Sequence, residues 1–315
     1  MDELKWGLIG PVEKAIAFVD DLQYATHPHR LVSRLSIEER GHQQEGVQTY
    51  TDLHQFLQSD MDAVYIASPY TMHYAQVKQC LLQGKAVLCE RPIAQSAEEL
   101  EHLMRISEHN HTFMMEAMWI RFMPSVKKVL SIISNDGIGD ITSVKASISY
   151  KPTGESDTLN PGGGALVELG IYPVFLCTLL LGKPEYVQAT GRLNADGQDD
   201  FFSAFFSYES GQYGFIETNK IVRSDSSAII MGDKGSIHIK NPWNIKPECI
   251  EVDYYDGTKV LHKSTWEGQG LYFELDEVYE SLEQGVIESQ LYCHHFSLDV
   301  MQTMDDIKEQ IHLLK

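Results

Sequence analysis

The stretch Lys5–Phe18, KWGLIGPVEKAIAF, decides the fold. KWGLIG reads as an apolar strand closing on Gly10, and VEKAIAFVDDLQ as the helix that follows. A strand, a glycine and a helix start form the opening of a nucleotide-binding α/β unit, because the glycine permits a tight turn and the helix N-terminus offers N–H groups to a phosphate. This turn departs from that pattern. Pro11 has no N–H to offer, Val12 is β-branched, and Glu13 places a negative charge where a phosphate would lie. Lys14 offsets part of that charge.

Outward from this stretch, short apolar runs alternate with helical segments. HRLVSR, DAVYIAS, AVLCE and TFMMEAM read as strands, and YTDLHQFLQS, TMHYAQVKQCLLQG and SAEELEHLMRISEHN as helices, the second closed by Gly84. The alternation predicts a parallel sheet with helices on both faces, over residues 1–118. From residue 119 the texture changes. ITSVKASISYK, PEYVQATGRL, DFFSAFFSYES, QYGFIETNKIV, SSAIIMGDKGSIHIK and CIEVDYYDG follow as strands joined by Gly-containing turns, which predicts an open, mostly antiparallel sheet in a second α/β domain, 119–315. The tail SLDVMQTMDDIKEQI is an amphipathic helix, with Ser297 as its expected N-cap.

Composition limits the function. The chain has 315 residues, enough for two domains with their own cores, and a formal charge of −20. A chain this acidic without a basic face has no general attraction for nucleic acid or anionic membrane. The start MDELKW lacks the features of a secretory signal, and the longest apolar run is too short to span a bilayer, so the expectation is a cytoplasmic protein. Cys80, Cys89, Cys177, Cys249 and Cys293 show no C-x-x-C spacing, which argues against a disulfide framework and a cysteine zinc site. CHHF (293–296) has adjacent histidines that rarely face one point, and no metal site is expected.

The segment PGGGALVELGIYPVFLCTLLLG (161–182) reads as a buried helix ended by Gly182. Glu168 and Tyr172 interrupt it four residues apart, hence on one helical face. They are either a satisfied core pair or the lining of a cavity, and the glycines before them mark a place where backbone approaches something closely.

Six motifs in order, DAVYIASPYTMH, GKAVLCERPIAQSAEE, MEAMWIRFMP, GGGALVELGIYP, IIMGDKGSIHI and GLYFELDEVYESLEQGVIES, give the chain a resemblance to the Gfo/Idh/MocA family of nicotinamide-dependent oxidoreductases, in its dihydrodiol dehydrogenase-like branch. The resemblance implies a Rossmann domain for the cofactor, followed by a domain whose open sheet covers the substrate site and forms a homodimer or homotetramer interface. Gly10 falls on the first glycine of G-x-G-x-x-[GA], Val12 on the second and Ala15 on the permitted alanine. Gly10, Pro11 and Val12 are thus the expected phosphate turn. Ser33 and Arg34 fall where the adenosine ribose is met. No acid ends that strand and an arginine can pair with a 2′-phosphate, so NADP is expected over NAD, which stays possible. Arg34 could equally be a solvated surface charge.

Ser68, Pro69 and His73 match the turn beneath the nicotinamide ribose, with Tyr70 in place of the usual Asn. Glu90 and Pro92 match Glu-Lys-Pro, and Arg91 replaces the lysine. An arginine stays charged and does not act as an ordinary acid or base, but it can stabilise a phenolate or alkoxide. Tyr172 matches the branch's catalytic tyrosine, which implies proton exchange with a hydroxyl while the cofactor carries the hydride. Glu168 replaces the family's Asp and would hold a substrate hydroxyl. Trp119, Arg121 and Phe122 would form the pocket wall for a sugar, polyol or cyclic diol, or else a domain-boundary core. Two functions follow: an NADP-preferring dehydrogenase or reductase with Tyr172, Arg91 and Glu168 as its catalytic set, or a descendant with weak or lost cofactor binding that acts as a ligand-binding or regulatory protein.

Overall fold

The structure is a computed structural model that describes residues 1–36, 45–151, 163–240 and 242–313. Pro161 and Gly162 of the glycine-rich segment therefore lie outside the described residues. The chain divides into two compact units, Met1–Phe122 with Trp266–Leu298, and Met123–Thr265 with Asp299–Lys315.

In the first unit, β1 (Leu4–Ile9), α1 (Val12–Leu22), β2 (His29–Leu35), β3 (Gln48–Tyr50), α2 (Leu53–Leu57), β4 (Ala63–Ile66), α3 (His73–Leu82), β5 (Ala86–Glu90), α4 (Ala97–Asn110) and β6 (Met114–Ala117) follow in order. The strands pair in the order β3-β2-β1-β4-β5-β6, all parallel. This doubly wound order reverses between β1 and β4, the position at which such sheets bind ligands. Strands β4 and β6 are buried along their whole length, as expected of a sheet covered on both faces. Helix starts are specified locally. Ser96 accepts from Glu99 N at 3.3 Å and opens α4, and Asp52 accepts from Gln55 N at 2.8 Å and opens α2.

The first unit is not finished at residue 118. A division there assigns 266–298 to the second domain, but this segment belongs to the first unit. The cause is a set of carboxylates that receive its backbone and side chains. Asp21 accepts from the N–H groups of Gln269, Gly270 and Tyr272, which lead into α7 (Tyr272–Glu283). In return, Asp276 of α7 accepts from Thr26 N at 2.9 Å and His27 N at 3.0 Å. Ser297 is not an N-cap. Helix α8 (His294–Leu313) already runs through it, and its hydroxyl donates to Glu116 at 2.8 Å.

The second unit contains α5 (Pro124–Ser134), β7 (Ile141–Ser149), α6 (Ile171–Leu181), β8 (Tyr186–Leu193), β9 (Asp199–Ser207), β10 (Tyr213–Asn219), β11 (Ser227–Gly232), β12 (Gly235–Lys240), β13 (Cys249–Tyr254) and β14 (Lys259–Lys263). Eight strands pair in the order β14-β13-β12-β11-β7-β10-β9-β8, antiparallel except for β7 with β10. Alternation sorts the two faces. Phe202, Ala204, Phe206, Ile216, Ile230 and Ile237 are buried on one. On the other, a single cross-strand row runs Gln188, Phe205, Phe215, Lys145, Ile229, His238, Glu251, Leu261. Phe205 and Phe215 are each 41% exposed in that row. Helix α6 packs on the buried face, and a Cβ at Gly170 would lie 2.6 Å from the Phe202 ring, so this contact requires glycine.

Candidate functional site

The turn between β1 and α1 is built from main chain. A Cβ at Gly10 would meet the Ala67 carbonyl oxygen at 3.1 Å, so the turn lies against the end of β4. Pro11 is the N-cap of α1 and provides no side-chain cap, which leaves the first helical N–H groups to be met by something else. Val12 is half-buried and Glu13 is exposed. The geometry fits a dinucleotide phosphate: the missing donor at Pro11 is not one of the helix's own, and Val12 and Glu13 keep their N–H groups.

At the carboxyl end of β2, Arg34 is 3% exposed, and its Nε has no hydrogen-bond partner among the described residues. A solvated surface charge is therefore excluded. A buried guanidinium nitrogen without a partner is costly unless a ligand supplies one. Ser33 points elsewhere. Its hydroxyl lies 3.4 Å from Met61 Sδ and 3.1 Å from that of Ser59.

Beyond β4, Ser68 donates to Gln76 Oε1 at 2.5 Å, and the Pro69 carbonyl accepts from Met72 N. His73 is fully buried rather than on a helix surface, with Nδ1 2.8 Å from the Pro92 carbonyl and Nε2 2.8 Å from the Ser68 carbonyl. It ties the turn after β4 to the turn after β5. Glu90 Oε1 accepts from Lys14 Nζ at 2.9 Å and from Tyr65 Oη at 2.8 Å. Burial pushes the Glu90 carboxyl up, but Lys14 and Arg91, with the two hydrogen bonds, outweigh it and hold it at about 2. Arg91 is buried beside it.

Two further carboxylates lie in this unit, and the sequence does not single them out as site residues. Glu116 accepts from Ile93 N at 2.9 Å, Tyr292 Oη at 2.6 Å and Ser297 Oγ at 2.8 Å, and is fully satisfied. Glu274 of α7 is buried, with Oε1 lacking a partner among the described residues. Burial first, and then the charges of Glu90 and Glu116, push its carboxyl well above the usual range, against Arg91 and Lys14. Both fall inside motifs of the family resemblance, Glu116 in MEAMWIRFMP and Glu274 in GLYFELDEVYESLEQGVIES, but only packing shows that their carboxyls are buried. Trp119 and Arg121 are half-buried and Phe122 is fully buried; Arg121 Nε donates to the Leu291 carbonyl at 2.8 Å.

In the second unit, Leu166–Gly170 winds as a π-helical turn that continues into α6. Such turns recur at functional sites because they re-aim side chains within a helix. Glu168 lies inside the turn and Tyr172 just beyond it, both buried. Lys220, immediately after β10, places Nζ 2.7 Å from Glu168 Oε1 and 3.3 Å from the Gly163 carbonyl. Asp199 accepts from Leu166 N at 2.6 Å, and a Cβ at Gly164 would lie 1.7 Å from Asp199 Oδ1. The glycine thus serves a close approach to a carboxylate. Lys220 was not singled out in the sequence, because its partner is 52 residues away and only the strand alternation of QYGFIETNK hints that a lysine there ends a strand.

Residues 5–117 match the model of an oxidoreductase family with an NAD-binding Rossmann fold, and residues 126–238 match the GFO/IDH/MocA C-terminal domain. A trans-1,2-dihydrobenzene-1,2-diol dehydrogenase from Xenopus tropicalis is 30% identical over 80% of this chain and 79% of its own length. The chain is a member of the Gfo/Idh/MocA family. The Bos taurus dehydrogenase of the same name is 29% identical over 80% of this chain and 77% of its own. Among solved structures of this fold, a 3-ketoreductase from Actinomadura kijaniata, determined with NADP and TDP-benzene, matches with a TM-score of 0.83 at 19% identity, over 98% of each chain. A UDP-N-acetylglucosamine 3-dehydrogenase from Acidithiobacillus ferrooxidans matches with a TM-score of 0.83 at 15% identity, over 99% of each. Family membership makes the chain an oxidoreductase-type enzyme with an NAD(P)-binding domain.

No helix is long and apolar enough to cross a membrane, and among the described residues no three His, Cys, Asp or Glu side chains converge as metal ligands. In CHHF, His294 Nε2 faces the Met114 carbonyl at 2.8 Å.

Proposed function

We propose that the protein is an NADP-preferring dehydrogenase or reductase acting on a sugar, polyol or cyclic diol. The observation that carries the cofactor preference is Arg34, buried at the end of β2 with a guanidinium nitrogen unpartnered among the described residues. A 2′-phosphate is the ligand group that satisfies such a donor. Gly10, Pro11 and Val12 would hold the pyrophosphate through the turn and the α1 N-terminus. Ser68 and Pro69 would lie beneath the nicotinamide ribose, with His73 fixing their turn and Glu90 orienting Arg91. NADP(H), when bound, supplies or accepts the hydride.

The chain's own residues handle the proton. Tyr172 gives a proton to a carbonyl oxygen in reduction, or takes it from a hydroxyl in oxidation. Arg91 contributes a fixed positive charge that favours the anionic oxygen in the transition state. Glu168 accepts a hydrogen bond from a substrate hydroxyl, and Trp119, Arg121 and Phe122 supply aromatic faces and a paired donor suited to a sugar or cyclic diol. The open row through Phe205 and Phe215 supports pairing with a second copy into a homodimer or homotetramer, since adjacent exposed aromatics on a sheet face mark interaction surfaces. Five unpaired cysteines are in keeping with a cytoplasmic location.

Titrating the protein with NADPH and with NADH, followed by nucleotide fluorescence and thermal unfolding, tests the reading. NADPH should bind more tightly. Absence of any shift at millimolar nucleotide overturns it in favour of a ligand-binding or regulatory protein. Turnover is then assayed with trans-1,2-dihydrobenzene-1,2-diol, the compound in the relatives' name.

A further inference from the structure

We propose that Lys220 is a positioning residue of the reaction, acting through Glu168. The inference rests on the function proposed above. The Glu168 side chain is 2% exposed and that of Lys220 14%, with 2.7 Å between Nζ and Oε1. A carboxylate so removed from water needs a cation or a proton, and Lys220 supplies the cation. The same ammonium reaches the Gly163 carbonyl, so it joins the segment before the π-helical turn to the carboxylate inside it. The backbone of Lys220 is itself fixed, its N–H donating to the Asp200 carbonyl at 2.8 Å.

The turn is therefore held from two sides. Asp199 takes the Leu166 N–H, and Lys220 takes the Glu168 carboxylate and the Gly163 carbonyl. Stability alone does not account for the pair. Buried ion pairs are commonly no more stabilising than apolar side chains of similar volume, and this one adjoins an apolar core of Leu166, Leu169 and Phe202. What the pair does provide is a single orientation for a carboxylate four residues before Tyr172. Proton exchange at Tyr172 depends on where the substrate hydroxyl is held, and a displacement of about 1 Å can cost on the order of a hundredfold in rate.

The test uses the holoenzyme with NADP+ and trans-1,2-dihydrobenzene-1,2-diol as probe. Lys220→Met should lower kcat about 100-fold, with NADPH affinity unchanged by fluorescence titration. Lys220→Arg, which keeps the charge, should recover a substantial part of that loss. Combining Lys220→Met with Glu168→Gln should cost no more than Glu168→Gln alone, because both act through one group. If Lys220→Met does not fold, Lys220→Arg and Glu168→Gln carry the test through their kcat against KM. Wild-type-like kcat in Lys220→Met, or losses that multiply in the double variant, overturn the role of Lys220 alone. A wild-type holoenzyme inactive on the diol and on a panel of sugars and polyols overturns the proposed function and this role together.

Discussion

The β1–α1 turn and the segment Gly163–Tyr172 are built from different materials. The first works through main chain: Gly10 against the end of β4, Pro11 at the helix entry, and N–H groups that no side chain caps. The second works through charged and polar side chains held in a buried setting, with Glu168, Lys220 and Asp199 each in a defined partnership. Substitution should therefore matter unequally. A main-chain site tolerates new side chains as long as its N–H groups stay open, whereas a side-chain site loses its chemistry with one atom.

The strongest way to break this contrast is Tyr172→Phe. Loss of the hydroxyl should lower kcat by about 10²–10⁴-fold, the range for a positioned acid or base, while NADPH binding stays unchanged. Steady-state rates and nucleotide fluorescence check both halves, and a variant that retains its rate removes Tyr172 from the mechanism. Next in size is Arg34→Ala, which exchanges a charged donor for a methyl group. NADPH affinity should fall roughly 10- to 100-fold and NADH affinity should hold, as for a lost hydrogen bond to a charged group. An equal loss for both nucleotides would show that Arg34 does not read the 2′-phosphate.

Stability against pH comes third. The folded Glu90 carboxyl titrates at about 2, below its ordinary 4.5. Its contribution is thus complete above the ordinary value and is lost as pH falls toward 2, a difference on the order of 3 kcal/mol at neutral pH. In Lys14→Met the loss should begin at higher pH in thermal unfolding scans. Superimposable curves would mean that Lys14 does not hold Glu90. Glu274 has the opposite sign, because its folded carboxyl is raised. Its contribution is present in acid and declines as pH rises, so Glu274→Gln should flatten that decline. The smallest effect is expected from Glu13→Gln in the main-chain turn. Removing an exposed anion from a helix N-terminus should tighten NADPH about two- to fivefold, and the gain should fade with salt.

Legibility in the sequence followed the same division. Periodicity exposes the strands of both sheets, because alternation and apolar runs are local properties, and it places Gly84 and Gly182 at helix ends, where both take positive φ. The short strands β3 and β14 escape it, three and five residues long with little apolar content. Helix α7 was readable as a motif but not as part of the first unit. Its placement depends on Asp21 and Asp276 reaching each other's segments across about 250 residues of chain. The candidate site splits likewise. Gly10, Glu168 and Tyr172 announce themselves by spacing, whereas the burial of Arg34, the orphan oxygen of Glu274 and the ammonium over Glu168 are properties of packing.

The return of residues 266–298 to the first unit also sets the order in which the protein can be made. A ribosome that has released residues 1–122 has exposed all six parallel strands, yet Glu116 still lacks the Tyr292 and Ser297 hydroxyls, and Thr26 and His27 still lack Asp276. The nucleotide-binding half cannot close during synthesis of its own strands. It waits until the whole intervening sheet has been translated, so the unit begun first is still unfinished when every strand of the second has been made, and an expression product cut at residue 118 would carry Glu116, on the edge strand β6, with only one of its three donors.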